Sequence, residues 1–266
     1  MTRPRATGRQ RRLGQNFLAD SNLLDLIVRE AGLAEADVVL EVGGGGGALT
    51  ERLAPAVACV HVVEMDERLR SELEPLAQEA GNVNLVWGDA IRLDLASLAP
   101  PPTAMVSNLP YSIATPLLLR TISELPSLSE WLVMVQLEIA ERLRAEPGTR
   151  AYGSPSAIVQ LACEVELVRK VDPAVFTPRP RVRSALVRMR RRAPAPAAGV
   201  HELIRATFAH RRKSLARSLE LARPGSLGPA RAALTELGLP EDSRAEALSP
   251  EQLAALAERV EAEVSG

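Results

Sequence analysis

Rings are scarce in this chain. Of its 266 residues, three are Phe, two Trp and two Tyr. A core so short of aromatics is filled by Leu, Val, Ile and Ala, so rings that gather in polar motifs need a reason other than packing. Cysteine is scarce too. Cys59 and Cys163 lie far apart, without CxxC spacing, each inside an apolar run. That excludes a disulfide scaffold, offers no metal-site spacing, and suits buried thiols in a reducing compartment. His61, His201 and His210 likewise show no ligand spacing, so no metal is expected. No apolar run reaches the ~18 residues of a membrane span, and the Arg-rich N-terminus has no apolar signal core. A soluble, cytoplasmic chain with no membrane partner is expected.

Net charge is also nearly absent, at −1. The average conceals an uneven distribution. Residues 1–19 hold five Arg and no acid, residues 174–200 hold seven Arg and no acid, and residues 203–219 hold five basic residues and no acid. From Glu236 onward eight acids face only Arg244 and Arg259. Three basic blocks and an acidic tail point to a polyanion-binding face hidden in a neutral total. The competing reading is a solvated, Arg-rich surface.

Hydrophobic residues at 46% and charged residues at 24% are ordinary globular values. Short apolar runs alternate with helical patterns over the first two-thirds. Strands are predicted at 38–42, 60–65, 84–89, 104–108, 131–136, 163–171 and 184–190. Helices are predicted at 21–33, 48–54, 67–81 and 115–125. Strands separated by helix-length segments predict a mostly parallel sheet covered on both faces, an α/β fold. The Pro-rich run 192–199 reads as a linker. Only helical segments follow, at 201–222, 228–238 and 249–264. The predicted layout is an α/β domain over 1–191, with 1–20 as a basic N-terminal segment, and a small all-helical domain over 200–266.

The first strand runs into five consecutive glycines, Gly43 to Gly47, and a helix pattern follows. Glycines there let the backbone turn tightly and approach a ligand. About twenty residues on, the second strand ends at Glu64, placed to accept both ribose hydroxyls of an adenosine-containing cofactor. The pattern suits NAD and S-adenosylmethionine equally. Asp89 closes the third strand, where a carboxylate can accept from an adenine amine or simply form a turn.

The fourth strand ends in Asn108-Leu109-Pro110-Tyr111. Ligands of open α/β sheets bind beyond the carboxyl ends of the strands, so this tetrapeptide sits at the cofactor mouth. The amino group of a planar base is a poor nucleophile because its lone pair is delocalised into the ring. Two acceptors on its hydrogens favour a pyramidal nitrogen with a freer lone pair. The Asn108 side-chain oxygen can be one, and the carbonyl of Leu109 or Pro110 the other. Pro110 stiffens the loop and offers no N–H. Tyr111 can stack on the base.

These residues resemble the signature of the amino-group methyltransferases, and in this form that of the ribosomal RNA adenine-N6 dimethyltransferases. Further segments are similar to that family: Gly14-Gln15-Asn16-Phe17-Leu18, Glu41 to Thr50, Gln136 with Glu138 to Arg142, Tyr152-Gly153, Val175 to Ser184, and Phe208 with Arg211 to Leu215. The resemblance covers about residues 12–220. It implies a Rossmann-like, S-adenosylmethionine-dependent methyltransferase with a helical C-terminal RNA-binding domain. It implies that Asn16, Leu18, Gly43, Gly45, Glu64, Asp89, Ala90 and Asn108 contact the cofactor. It implies that Tyr111 and Phe176 sandwich a flipped adenine beside Asn108, Leu109 and Pro110. Base flipping fits the chemistry, because N6 lies in the pairing edge. Arg179, Arg181 and Arg183, with Arg211, Arg212 and Lys213, are the expected RNA contacts. The small-subunit branch of the family implies two adjacent adenosines in the 3′-terminal hairpin loop as target, during ribosome biogenesis, by a monomer. The alternatives are a large-subunit RNA methyltransferase of the antibiotic-resistance type, a non-catalytic ribosome-assembly factor on the same fold, and an NAD dehydrogenase. Gly44 stands where the family often has Pro, which predicts a looser glycine loop.

Overall fold

The computed structural model describes residues 17–265. The chain divides into two compact units, residues 1–140 with 166–191, and residues 141–165 with 192–266.

The first unit is built on a seven-stranded sheet. Its strands are β2 (Val38–Val42), β3 (Cys59–Glu64), β4 (Val83–Trp87), β5 (Ala104–Asn108), β6 (Glu130–Gln136), β7 (Cys163–Val171) and β9 (Ser184–Arg191). They lie in the order β4-β3-β2-β5-β6-β9-β7. Strands β2 to β6 pair in parallel. Strand β9 is antiparallel to β6, with Gln136 opposite Ser184. All residues of β2 and β3 are buried, as expected of parallel strands covered on both faces. Strand order reverses between β2 and β5, so their carboxyl ends diverge there and leave a crevice.

Local sequence shapes the helices of this unit. Helix α1 (Ser21–Ala31) starts where Asp20 accepts the Leu23 N–H at 2.9 Å and stops at Gly32 in the left-handed region. Helix α2 (Thr50–Leu53) is short and runs into a 3-10 turn at Ala54–Ala56, where Pro55 limits it. Helix α3 (Arg70–Ala80) follows a separate 3-10 turn at Glu67–Leu69, which the expected continuous helix did not foresee. Helix α4 (Ala114–Glu124) buries Leu117, Leu118, Thr121 and Ile122.

A second, two-stranded sheet joins β1 (Phe17–Leu18) to β8 (Phe176–Thr177), with Leu18 opposite Phe176. Two-residue strands have no readable period, so none is predicted at either place.

The second unit contains α6 (Ser154–Ala162), α7 (Ala198–Thr207), α8 (Leu215–Ala222), α9 (Leu227–Glu236) and α10 (Pro250–Ser265), and both α5 (Leu137–Leu143) and β7 run across its boundary in sequence. Three expectations differ here. The α/β domain was expected to run unbroken to residue 191, but residues 141–165 pack with the helical unit. Tyr152 meets Phe208 edge-on at 5.9 Å, and Ser156 Oγ donates to the Arg142 carbonyl at 2.6 Å. The expected helical segment 201–222 is interrupted by turns at 208–214. Ser218 Oγ accepts the His210 N–H at 3.1 Å and donates to the Ala206 carbonyl at 3.0 Å, which holds the break closed. The Pro-rich run ends earlier than expected, because α7 begins at Ala198.

Candidate functional site

Four strand ends converge at the crevice. Strand β2 delivers Gly43, β3 delivers Glu64, β4 is followed by Gly88 and Asp89, and β5 delivers Asn108. Together with Ala90, Leu109, Pro110 and Tyr111 they line a cavity of about 280 Å³. A second cavity, about 300 Å³, shares Phe17, Gly43, Gly45 and Asn108 with the first and adds Leu18, Glu41 and Glu72. The expected cofactor residues Gly43, Gly45, Glu64, Asp89, Ala90 and Asn108 are thus brought together, with Leu18 beside them. Asn16 lies outside the described residues.

The glycine loop is anchored. Gly43 N–H donates to the Val63 carbonyl at 2.8 Å, Gly45 N–H to Glu64 Oε2 at 3.0 Å, and Gly47 N–H to the Gly44 carbonyl at 2.9 Å. Gly43 has φ +84°, and a Cβ there would stand 3.3 Å from Pro110 Cδ, so glycine lets the two loops meet. At Gly44 a Cβ would collide with Val62 Cγ1. That close approach explains glycine at this position, and the anchoring bonds oppose the looseness its sequence predicts.

Glu64 is 7% exposed and highly ordered by its own turn: Oε1 accepts from the N–H groups of Met65 and Asp66, both at 2.8 Å. Its carboxylate is therefore fixed at the cavity wall, and with the Gly45 N–H on Oε2 one lone-pair position is left for a further donor. Asp89 Oδ1 accepts the Ile91 N–H at 2.9 Å, so the turn-forming role is real and coexists with a place in the cavity. Beneath this turn, Arg120 of α4 donates to the Ala90 carbonyl at 2.7 Å and the Leu93 carbonyl at 2.6 Å. Its Nε meets Glu124 at 2.7 Å. Arg120 therefore holds the segment that presents Asp89 and Ala90. Arg120→Leu is expected to weaken S-adenosylhomocysteine binding by about tenfold, the worth of one to two charge-assisted hydrogen bonds, with RNA binding unchanged. Isothermal titration checks this; unaltered affinity would remove Arg120 from the account.

The Asn-Leu-Pro-Tyr loop is held by main-chain bonds. Leu109 N–H donates to the Met134 carbonyl and Ile113 N–H to the Pro110 carbonyl, both at 3.1 Å. Leu109 buries its side chain, while Asn108, Pro110 and Tyr111 stay partly exposed. Tyr111 Oη and Ser184 Oγ share a hydrogen bond of 2.7 Å.

Phe176 is not brought to the cavity. It is 3% exposed, paired with Leu18, and packed in the core with Leu24 and Ile27. Of the two rings expected to sandwich the base, Tyr111 lines the cavity and Phe176 does not. Phe17, unassigned by its sequence, lines both cavities, and Met65, 53% exposed, lines the first. An exposed Met directly after the strand-end acid was the legible signal. Trp131 is core, with Nε1 donating to Thr121 Oγ1 at 3.0 Å. Trp87 is not: it is partly exposed, with the Arg70 guanidinium 4.5 Å above its ring.

Arg179, Arg181 and Arg183 are exposed in the first unit, and Arg179 approaches Asp172 at 3.6 Å. Arg211, Arg212 and Lys213 are exposed in the second, on the 208–214 turns. Arg211 donates to the Tyr152 carbonyl at 3.1 Å, which braces that turn. Among the described residues no group of three His, Cys, Asp or Glu could hold a metal, and no helix is long and apolar enough to cross a membrane. Burial pushes the Cys59 thiol up, consistent with an inert core cysteine.

A doubly wound sheet with a glycine loop, strand-end acids and an Asn-Leu-Pro-Tyr tetrapeptide at one switch point defines a Rossmann-like methyltransferase. The chain belongs to the ribosomal RNA adenine dimethylase family, whose profile matches residues 7–262. It is 46% identical over 254 residues to the ribosomal RNA small subunit methyltransferase A of Rubrobacter xylanophilus, covering 94% of this chain and 95% of that one. It is 42% identical to the protein of the same name from Thermobifida fusca, covering 92% and 88%. Among solved structures it is similar to a dimethyladenosine transferase from Plasmodium falciparum, with TM-score 0.75, 26% identity, and 90% and 95% coverage. It is also similar to the 23S rRNA methyltransferase ErmE, with TM-score 0.67, 28% identity, and 92% and 100% coverage.

Proposed function

We propose that this chain transfers methyl groups from S-adenosylmethionine to N6 of two adjacent adenosines in the 3′-terminal hairpin loop of small-subunit ribosomal RNA. The product is N6,N6-dimethyladenosine, made in the cytoplasm during ribosome biogenesis by a monomer. One observation carries the reading: Glu64, Asp89 and Asn108-Leu109-Pro110-Tyr111 line a single cavity at the carboxyl ends of adjacent strands. The small-subunit names of relatives at 46% and 42% identity favour it over the large-subunit alternative, which ErmE represents at 28%.

The residues fit such a cofactor. The glycine loop leaves room that a Cβ at Gly43 would reduce, and the cavity combines apolar walls with fixed acceptors. When bound, S-adenosylmethionine supplies an electrophilic methyl group on a sulfonium. Glu64 would accept from the ribose at Oε2, Asp89 the adenine amine, and Gly43, Gly45, Ala90, Leu18 and Asn16 would complete the holding set. Asn108 Oδ1 accepts one hydrogen of the target amino group. The Pro110 carbonyl is already engaged by Ile113, which favours the Leu109 carbonyl as second acceptor. Tyr111 stacks on the base. No strong general base is required, because an alkylated ammonium loses its proton to water. Rate enhancement then comes from positioning and from hydrogen bonds that strengthen as N6 pyramidalises. The exposed Arg and Lys side chains hold phosphates, so binding weakens with salt.

Under-methylated small subunits and, separately, large subunits incubated with methyl-labelled cofactor test the choice of substrate. Label is expected in the small subunit alone. Label in the large subunit alone would favour the resistance-type reading.

A further inference from the structure

A phenylalanine would stack on a base as well as a tyrosine does, because every base offers a π-face to any ring. Stacking therefore leaves the hydroxyl of Tyr111 unexplained. The fold supplies its partner. Ser184 opens β9, is 0% exposed, and places Oγ 2.7 Å from Tyr111 Oη. Its main chain is fixed: Ser184 stands opposite Gln136 in the β6–β9 pair, and the preceding carbonyl of Arg183 accepts the Leu137 N–H at 2.9 Å. The ring of Tyr111 springs from a turn at the end of β5 and has free side-chain torsions of its own. Its far edge is tied to a rigid strand two positions across the sheet, β5-β6-β9. Burial pushes the Tyr111 phenol above its ordinary value, so the tie stays neutral and does not titrate near neutral pH.

We propose that Ser184 is a positioning residue for methyl transfer, its buried hydroxyl holding the Tyr111 ring at the angle that seats the target base beside Asn108. The proposal rests on the reading of Tyr111 as the stacking ring. Ser184 also directly follows the exposed Arg179, Arg181 and Arg183, so the anchor and the expected phosphate contacts lie on one continuous segment.

A double-mutant cycle tests it by single-turnover transfer at saturating cofactor and RNA. Tyr111→Phe and Ser184→Ala are each expected to lower the rate about fivefold, the size of one neutral hydrogen bond. The double variant is expected to lose no more than either single one. Cofactor affinity should stay at the wild-type value, and Ser184→Thr should recover most of the rate. Multiplying losses, or an unchanged rate for Ser184→Ala, would overturn the proposal. If Ser184→Ala does not fold, Tyr111→Phe decides alone: a fivefold loss supports the anchor and an unchanged rate overturns it. Tyr111→Ala separates the two levels. Full transfer by that variant removes the stacking reading and the anchor together. Strong loss with Tyr111→Ala but none with Ser184→Ala removes only the anchor.

Discussion

Asn108→Ala is expected to lower methyl transfer by about 10²–10³-fold, the range seen when one oriented transition-state hydrogen-bonding group is removed. RNA retention is expected to stay at the wild-type level, because phosphate contacts on Arg and Lys dominate affinity. Main-chain bonds at this position do not depend on the side chain. The main chain at 108 is held by strand pairing, with Asn108 opposite Met134, and the Leu109 N–H bond to the Met134 carbonyl follows directly. Neither bond uses the Asn108 side chain. Alanine keeps these main-chain bonds and removes the side-chain acceptor. The acceptor matters because amide oxygen draws on the amino hydrogens more strongly as the nitrogen becomes tetrahedral. Rapid-quench transfer and filter binding on the same preparation check both halves, and full transfer would end the assigned role.

A second large effect is expected in stability against pH. Glu41 is 1% exposed in β2, with Thr50 Oγ1 donating to its Oε2 at 2.6 Å. Burial pushes its carboxyl up to about 8 from 4.5; the Thr50 bond opposes this and the Glu64 charge adds to it. Between those two values the folded chain carries a proton that the unfolded chain has released. Stability from this group is complete below about 4.5 and falls as pH rises toward 8, by up to about 1.4 kcal/mol per unit. Glu41→Gln keeps an oxygen for Thr50 and has no proton to lose. The variant is expected to lack that slope and to be more stable than wild type at pH 8, by on the order of 4 kcal/mol. Urea unfolding at pH 5, 6.5 and 8 measures it. Groups that do not interact with Glu41 contribute equally to both chains, so the difference isolates Glu41 together with its coupling to Glu64. Parallel curves would show that Glu41 is ionised in the fold at no cost.

The parallel sheet was legible because its strands are dense apolar runs, such as Val38–Val42, set off by glycine and helix patterns. The site was legible for the same reason: Gly43, Glu64, Asp89 and Asn108 all stand at strand ends, and the topology gathers strand ends. What stayed hidden depends on contacts remote in sequence. Phe176 looked available in a polar, Pro-rich loop, yet pairing of β8 with β1 turns its ring into the core. Residues 141–165 carry no marker of their unit, which is decided by contacts such as Tyr152 with Phe208. The break at 208–214 has neither Gly nor Pro, and its lock is the Ser218 hydroxyl eight residues beyond His210. Arg120 could have been suspected as a lone cation in the apolar helix run 115–125, but its two carbonyl partners lie 27 and 30 residues back in sequence.

The central claim is the identity of the methylated atom. Under-methylated small subunits treated with labelled S-adenosylmethionine and this chain, then digested to nucleosides and mapped by mass spectrometry, test it most directly. The expected result is N6,N6-dimethyladenosine at two adjacent positions in the 3′-terminal hairpin loop. Label on a ribose, on a ring carbon, or on any nucleotide outside that loop would contradict it.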